Sequence, residues 1–299
     1  MHQLENDKLK IVIKETGAEL CEISSVKNKK HFLWDANPEI WGSFAPNLFP
    51  IVGALKNNCY TFNNKTYYLP KHGFLRHNTA VRLHEKTSNS ITFKLVYSDE
   101  LLKIYPFKFE FYISYTLINN RIEINHTVKN KDTKTMYFSL GGHPAFKCPI
   151  NKGELYSDYF LEFEHIENCH TQQINKQTGL ITTQTKPFLN AENKIKLTDS
   201  LFNNDALIFK TLKSKSVALK SVKQGSILTV RYSNFNYLGI WAKPKANYVC
   251  IEPWLGIADH ENTNQDLKTK EGIIPLSKDH SFNASYSIEI HENQLKDVK

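Results

Sequence analysis

Residues 107 to 117 read FKFEFYISYTL, with Phe107, Phe109, Phe111, Ile113, Tyr115 and Leu117 at every second position and mostly polar residues between them. Side chains of a β-strand point alternately to its two faces, so a half-buried strand gathers these apolar groups on one side, whereas a helix would scatter them. Asn119-Asn120 follows, and then RIEINHTV, in which Ile122, Ile124 and Val128 keep the same alternation. The pair reads as a hairpin closed by a two-residue turn. A shorter hairpin is expected from Tyr60 to Phe62, through Asn63-Asn64, to Lys65 to Leu69, and LKIVIK, SITFKLVY, SILTVRY, YLGIW, YVCIE and YSIEI add strands. Helical spacing is confined to short pieces at Asp99 to Ile104 and Asp199 to Phe202. Alternation of strands with long helices is therefore excluded, and the expected class is all-β, built from large packed antiparallel sheets. Strands recur from residue 9 to residue 290 without a long Pro, Gly or Ser-rich linker or a repeat of fixed period, so one domain spanning 1–299 is expected.

A chain of 299 residues lies within the range of one large β domain. No stretch approaches the roughly 18 apolar residues of a membrane span, and MHQLENDKLKIVIK has no apolar signal core, so a cytoplasmic protein without a membrane partner is expected. The net charge of +8 comes from scattered residues, and of the 38 basic residues only Arg76, Arg82, Arg121 and Arg231 are arginines. A lysine-rich surface solubilises but offers few planar forks for phosphates and bases, and no nucleic-acid partner is expected. The five cysteines show no CxxC spacing, which argues against a zinc ribbon or disulfide scaffold and for reduced thiols. The 12 histidines show no HExxH or similar spacing, so no metal site is expected.

Three apolar-flanked segments carry ionisable residues that strand grammar does not require: LPKHGFLRHN around His72, SLGGHPAF around His143, and YVCIEPWLGIAD around Glu252. Gly141-Gly142 is expected to allow unusual backbone angles and close approach of a ligand, while Pro144 restricts His143 to an extended conformation. Glu252 follows Val249-Cys250-Ile251 and precedes Pro253-Trp254, which implies a buried or half-buried carboxylate with a raised pKa. A carboxylate and an imidazole facing each other across a cleft form a general base and a general acid. Taken singly, His143 also reads as a satisfied structural histidine, and Glu252 as a carboxylate bonded to nearby backbone. His77, His84 and His126 sit among charged, polar or strand residues and read as surface or packing groups.

FPIVG at 49 to 53, LPKHGFLR at 69 to 76, GGHPAF at 141 to 146 and IEPWLGIAD at 251 to 259, in this order, resemble the aldose 1-epimerase (galactose mutarotase) family, particularly its LacX-like branch. The resemblance implies a large antiparallel β-sandwich, the galactose mutarotase-like supersandwich, and interconversion of the α and β anomers of a hexose without a cofactor. It implies Glu252 as general base on the C1 hydroxyl and His143 as general acid on the ring oxygen, with Glu252 ionised and His143 protonated at the outset. His72 matches a sugar-binding histidine and Asp205 a sugar-binding aspartate. Arg76 is a candidate for sugar hydroxyls or a phosphate, and Trp254, Phe74 and Trp34 for the apolar face of a pyranose. Gly53 is followed by Ala54, Leu55 and Lys56 where family members often carry an arginine, so Lys56 is the candidate replacement donor. The implied partner is a small-molecule sugar. A hexose-6-phosphate 1-epimerase, favoured if Lys56, Lys71 and Arg76 line one side of the site, and a non-catalytic carbohydrate-binding or sensing protein remain as alternatives. Oligomeric state is not legible.

Overall fold

In the computed structural model, which describes residues 1–296, strands Phe109–Ile118 and Arg121–Asn130 pair along their whole length, Ile118 facing Arg121 and Phe109 facing Asn130. The ladder starts two residues later than the alternation suggests, and it buries Phe109, Phe111, Ile113, Tyr115 and Leu117 on one face. Asn119 holds a φ of 52°, and in the hairpin Cys59–Phe62/Lys65–Tyr68 both turn residues, Asn63 and Asn64, have positive φ. Asparagine tolerates this conformation better than other residues with a Cβ, so the Asn-Asn pairs set where each chain reverses.

Among the described residues, fifteen strands join in one antiparallel sheet. Its hydrogen-bonded order runs from Asn47–Leu48 through Leu140–Gly142, Tyr248–Leu255, Tyr237–Trp241, Leu207–Phe209 and Tyr159–Ile174. It continues through Ser216–Ser221, Gly225–Arg231, Ser281–Ile290, Arg121–Asn130, Phe109–Ile118 and Ser90–Val96 to Arg82–Lys86. Ala145–Lys147 and Ile181–Lys196 pair off this path. A three-stranded sheet of His2–Glu5, Leu9–Lys14 and Glu19–Ser25 adds its apolar face to the same core. The architecture is the expected all-β sandwich of large antiparallel sheets.

Two local readings differ. Asp99–Ile104 is a helix, capped by Ser98 Oγ accepting from Leu101 N, but Asp199 to Phe202 forms successive turns, with Leu201 N, Asn203 N and Asp205 N each bonded three residues back. Asp199, Ser200, Asn203 and Asn204 supply turn chemistry that overrides a short helical spacing. The long hairpin Tyr159–Ile174/Ile181–Lys196 was not legible because its pairing shifts register at several bulges and its alternation lapses at Glu164, His165 and Ile166.

Tyr248–Leu255 is buried at every position. On one edge it pairs with Tyr237–Trp241; on the other it pairs first with Leu140–Gly142 and then with Ala145–Lys147. These last two ladders share one register, Gly141 facing Trp254 and Ala145 facing Cys250, so His143 lies opposite Glu252. Contrary to the sequence reading, Gly141 and Gly142 do not have positive φ. They are strand residues whose missing side chains make room: a Cβ on Gly141 would lie 2.7 Å from Trp254 Cδ1, and one on Gly142 2.5 Å from Tyr286 Oη. Gly239, across the strand, would meet Trp254 Cη2 at 2.5 Å, so the indole lies between two glycines.

The loop that leaves this strand is tied down from below. Lys270 Nζ lies 2.7 Å from Asp259 Oδ1 and donates to the Ile257 carbonyl at 2.7 Å, while Asp259 Oδ2 accepts from Lys56 N at 3.0 Å. Both charges are buried, and removing one partner leaves the other uncompensated. Asp259→Asn is expected to lower unfolding free energy by about 3–5 kcal/mol. Lys103→Ala, which breaks the exposed Lys103–Glu100 pair, should cost less than about 1 kcal/mol. Urea titration of both variants checks this; equal midpoint shifts would show that the buried pair carries no special weight.

Candidate active site

The shared register delivers a contact: His143 Nε2 and Glu252 Oε2 are 3.0 Å apart, with both side chains almost wholly buried. The imidazole is held by aromatic rings. Trp41 stacks on it at 5.0 Å between centroids and 27° between planes, and Trp241 meets it edge-on at 5.9 Å. Trp41 belongs to an irregular segment anchored at both sides. Its carbonyl accepts from Trp34 Nε1 at 2.8 Å, and buried Glu19 Oε1 accepts from Phe44 N at 2.7 Å and Ala45 N at 3.0 Å.

His72 stands at 5.6 Å from the His143 ring. Its backbone N–H donates to the Gly53 carbonyl at 2.9 Å, and its Nδ1 accepts from Gly53 N at 3.2 Å. An imidazole that accepts through Nδ1 carries its proton on Nε2, so the backbone selects the tautomer and leaves Nε2–H as a donor. Gly53 itself has a φ of 75°, and a Cβ there would lie 2.5 Å from Ala258 Cβ. Only glycine fits that turn. Burial first, and then the nearby His143, Lys71 and Arg76, push the His72 pKa well below the ordinary value, which keeps the ring neutral.

These groups line a cavity of about 400 Å³. Its apolar wall includes Trp41, Trp241, Trp254 and Ile208, and its polar side includes Asp205, Asn203, Arg76, Lys71 and Lys176. Asp205, at a φ of 75°, accepts from Ala206 N at 2.7 Å, and half-buried Arg76 reaches Ser43 Oγ at 3.2 Å. The cavity thus brings together Glu252, His143, His72, Asp205, Arg76 and Trp254.

Lys56 does not join them. Its Nζ donates to the Glu261 carbonyl at 2.6 Å, because Asp259 pins the Lys56 backbone and turns the side chain along the neighbouring loop. It is not the donor within this cavity that the sequence reading assigned to it. Trp34 and Phe74 are packing residues, Trp34 against Tyr248 and Phe74 against Phe49, Tyr105 and Phe109. His126 is fully buried among Phe111, Phe235 and Tyr286, the packing role expected of it. Sequence reasoning missed Trp41, Trp241 and Lys176. Trp41 and Lys176 lie in irregular segments that carry no periodic signal, whereas Trp241, at the end of YLGIW, reads only as a strand residue.

Burial pushes the Glu252 carboxyl well above the usual carboxylate range; Asp205 adds to this, while Lys71, Trp254 and Arg76 oppose it. Burial pushes His143 down to about 3, with Arg76 and Lys71 acting in the same direction. Both directions favour the uncharged forms, a carboxylic acid beside a neutral imidazole, over the ion pair expected from the sequence. Either form holds one proton. Its passage from Glu252 to His143 yields a carboxylate and an imidazolium without exchange with solvent. Such a pair can take a proton from one hydroxyl and deliver one to a neighbouring oxygen.

The same floor also has metal-ligating character: donor atoms of His143, Cys250 and Glu252 all lie within 4.8 Å of one another, and all three residues are buried.

The family model described as aldose 1-epimerase matches residues 1–270. The plasmid and chromosomal LacX proteins of Lactococcus lactis subsp. lactis are each 36% identical to this chain over 96% of its length and 98% of theirs. A galactose mutarotase related enzyme from Lactobacillus acidophilus superposes with a TM-score of 0.92 at 39% identity, covering 98% of this chain and 97% of its own. A galactose mutarotase-like protein from Lactobacillus casei gives 0.90 at 28% identity, covering 97% and 100%. With the family model matched over most of its length and relatives this similar along nearly all of it, the chain belongs to the aldose 1-epimerase family.

Proposed function

We propose that the protein is an aldose 1-epimerase acting on a hexose, with Glu252 as general base and His143 as general acid. The observation that carries the reading is the buried 3.0 Å approach of His143 Nε2 to Glu252 Oε2 beside a sugar-sized cavity. Sugar hydroxyls entering this cavity stabilise charge that burial alone disfavours, and the shared proton moves to His143. Glu252 then removes the proton of the C1 hydroxyl while His143 protonates the ring oxygen. The C1–O5 bond breaks and C1 becomes the aldehyde carbon. Rotation about C1–C2 presents the other carbonyl face, and reclosure runs with the roles exchanged. His72 Nε2–H serves as donor to the sugar, Asp205 as acceptor, and the tryptophan wall takes the apolar face of the ring.

The cations around the cavity support a second reading. Lys71, Arg76 and Lys176 all line it, which suits a phosphorylated hexose, although Lys56 points elsewhere. A protein that binds sugar without turning it over is the third reading, and the presence of both acid and base disfavours it.

Polarimetry of freshly dissolved α-glucose, α-galactose and glucose 6-phosphate separates these readings. Wild type is expected to accelerate mutarotation, and Glu252→Gln and His143→Asn should each lose about 10²–10⁴-fold in kcat. Wild-type rates equal to buffer on all three sugars would leave binding as the only role.

The pH dependence follows from the neutral pair. His143, depressed to about 3, takes up a second proton only in strong acid, and Glu252, raised above its ordinary range, keeps its proton to higher pH than a free carboxyl. Activity needs one proton on the pair, so its acid limb should lie well below the ordinary histidine pKa of about 6.5, toward about 3. A kcat/KM profile with an acid limb at pH 6–7 would contradict this protonation scheme.

A further inference from the structure

We infer that His143, Cys250 and Glu252 form a binding site for a thiophilic divalent cation of the zinc class, in which the cation takes the place of the sugar. Cys250 and Glu252 are two residues apart on one strand and so face the same side of the sheet. The neighbouring ladder sets Ala145 opposite Cys250 and continues the register that brings His143 to Glu252. A sulfur, an imidazole nitrogen and a carboxylate oxygen therefore converge, all within 4.8 Å of one another.

Each donor has coordination capacity left. Glu252 Oε2 has no neighbour that satisfies it beyond its 3.0 Å approach to His143 Nε2, His143 Nδ1 is buried without a hydrogen-bond partner among the described residues, and Cys250 is a free thiol. Zinc bonds to sulfur at about 2.3 Å and to nitrogen or oxygen at about 2.0–2.2 Å, which in a tetrahedron puts the donors roughly 3.5 Å apart. Small side-chain rotations close the remaining gap. Three protein donors with the fourth position facing a cavity make an open zinc site, and a thiolate within the set selects zinc-class cations over magnesium or calcium. On binding, the thiol and the carboxyl–imidazole pair each give up one proton, so the dication is matched by one thiolate and one carboxylate. Lys71 and Arg76, which line the same cavity, oppose the cation and limit its affinity. Exclusion of sugar by the cation rests on the epimerase reading; the donor site itself does not.

The test is titration of the full-length protein with Co²⁺ under reducing conditions, followed by absorbance, with Zn²⁺ back-titration. The expected result is one Co²⁺ per chain with a thiolate-to-cobalt charge-transfer band in the near ultraviolet, displaced by Zn²⁺. Cys250→Ser should abolish the band and weaken binding by about 100-fold or more, beyond the 10–100-fold typical of a residue outside the coordination shell. Cys250→Ala and His143→Asn provide parallel variants, and circular dichroism shows which of them keep the native sheet. Absence of the band in wild type, or a band that survives Cys250→Ser, overturns the proposal. α-Glucose at saturating concentration should raise the apparent Co²⁺ dissociation constant at least tenfold. A Cys250-dependent band in a protein with no mutarotase activity upholds the cation site while overturning the epimerase reading. Mutarotase activity without that band does the reverse.

Discussion

Strand Tyr248–Leu255 is paired on one edge by two short strands that keep a single register across the interruption at His143 and Pro144. The continuity sets His143 opposite Glu252, and the arrangement of the cavity follows from it. Because the strand is buried throughout, Glu252 is almost wholly shielded and opens only onto the cavity it lines. The side chains around it are placed by the same lattice: Gly141 and Gly239 leave the space that Trp254 occupies, and Gly142 leaves space for Tyr286. A Cβ at Gly141 or Gly239 would push against Trp254, which lines the cavity together with His143 and Glu252.

The second wall of the site comes from loops, and loops need separate restraints. Gly53 turns tightly against Ala258 and fixes His72 by two hydrogen bonds. The buried Asp259–Lys270 pair ties that turn to the segment following Glu252, and buried Glu19 ties the segment carrying Trp41. Each anchor is a charge out of water, costly unless its partners are complete. Proton location obeys the same rule. In water a carboxylate and an imidazolium would be the ordinary forms at mildly acidic pH, but burial works against both charges, while Lys71 and Arg76 favour the carboxylate and oppose the imidazolium.

Much of this was legible before the structure. The Phe107 to Leu117 alternation and the Asn-Asn turns announced hairpins that the structure contains, since strand periodicity and turn conformation are local properties. The residues around the cavity were legible through motif resemblance in the cases of Glu252, His143, His72, Asp205 and Arg76. Lys56 was misplaced because its direction is decided by the Glu261 carbonyl, more than 200 positions away. The Tyr159–Ile174 hairpin was missed because bulges break the alternation on which such a reading depends.

The sequence by itself determined an all-β chain, the places where it turns, and the identity of a carboxylate and an imidazole set apart from strand grammar. Those properties depend on neighbours within a few residues. Only the tertiary structure decided that Trp41 and Trp241 hold His143, that Gly141 and Gly142 serve as space and not as flexibility, and that burial disfavours the charged forms of His143 and Glu252. Packing and desolvation arise from atoms that are distant in the chain, and no local pattern records which of them will meet.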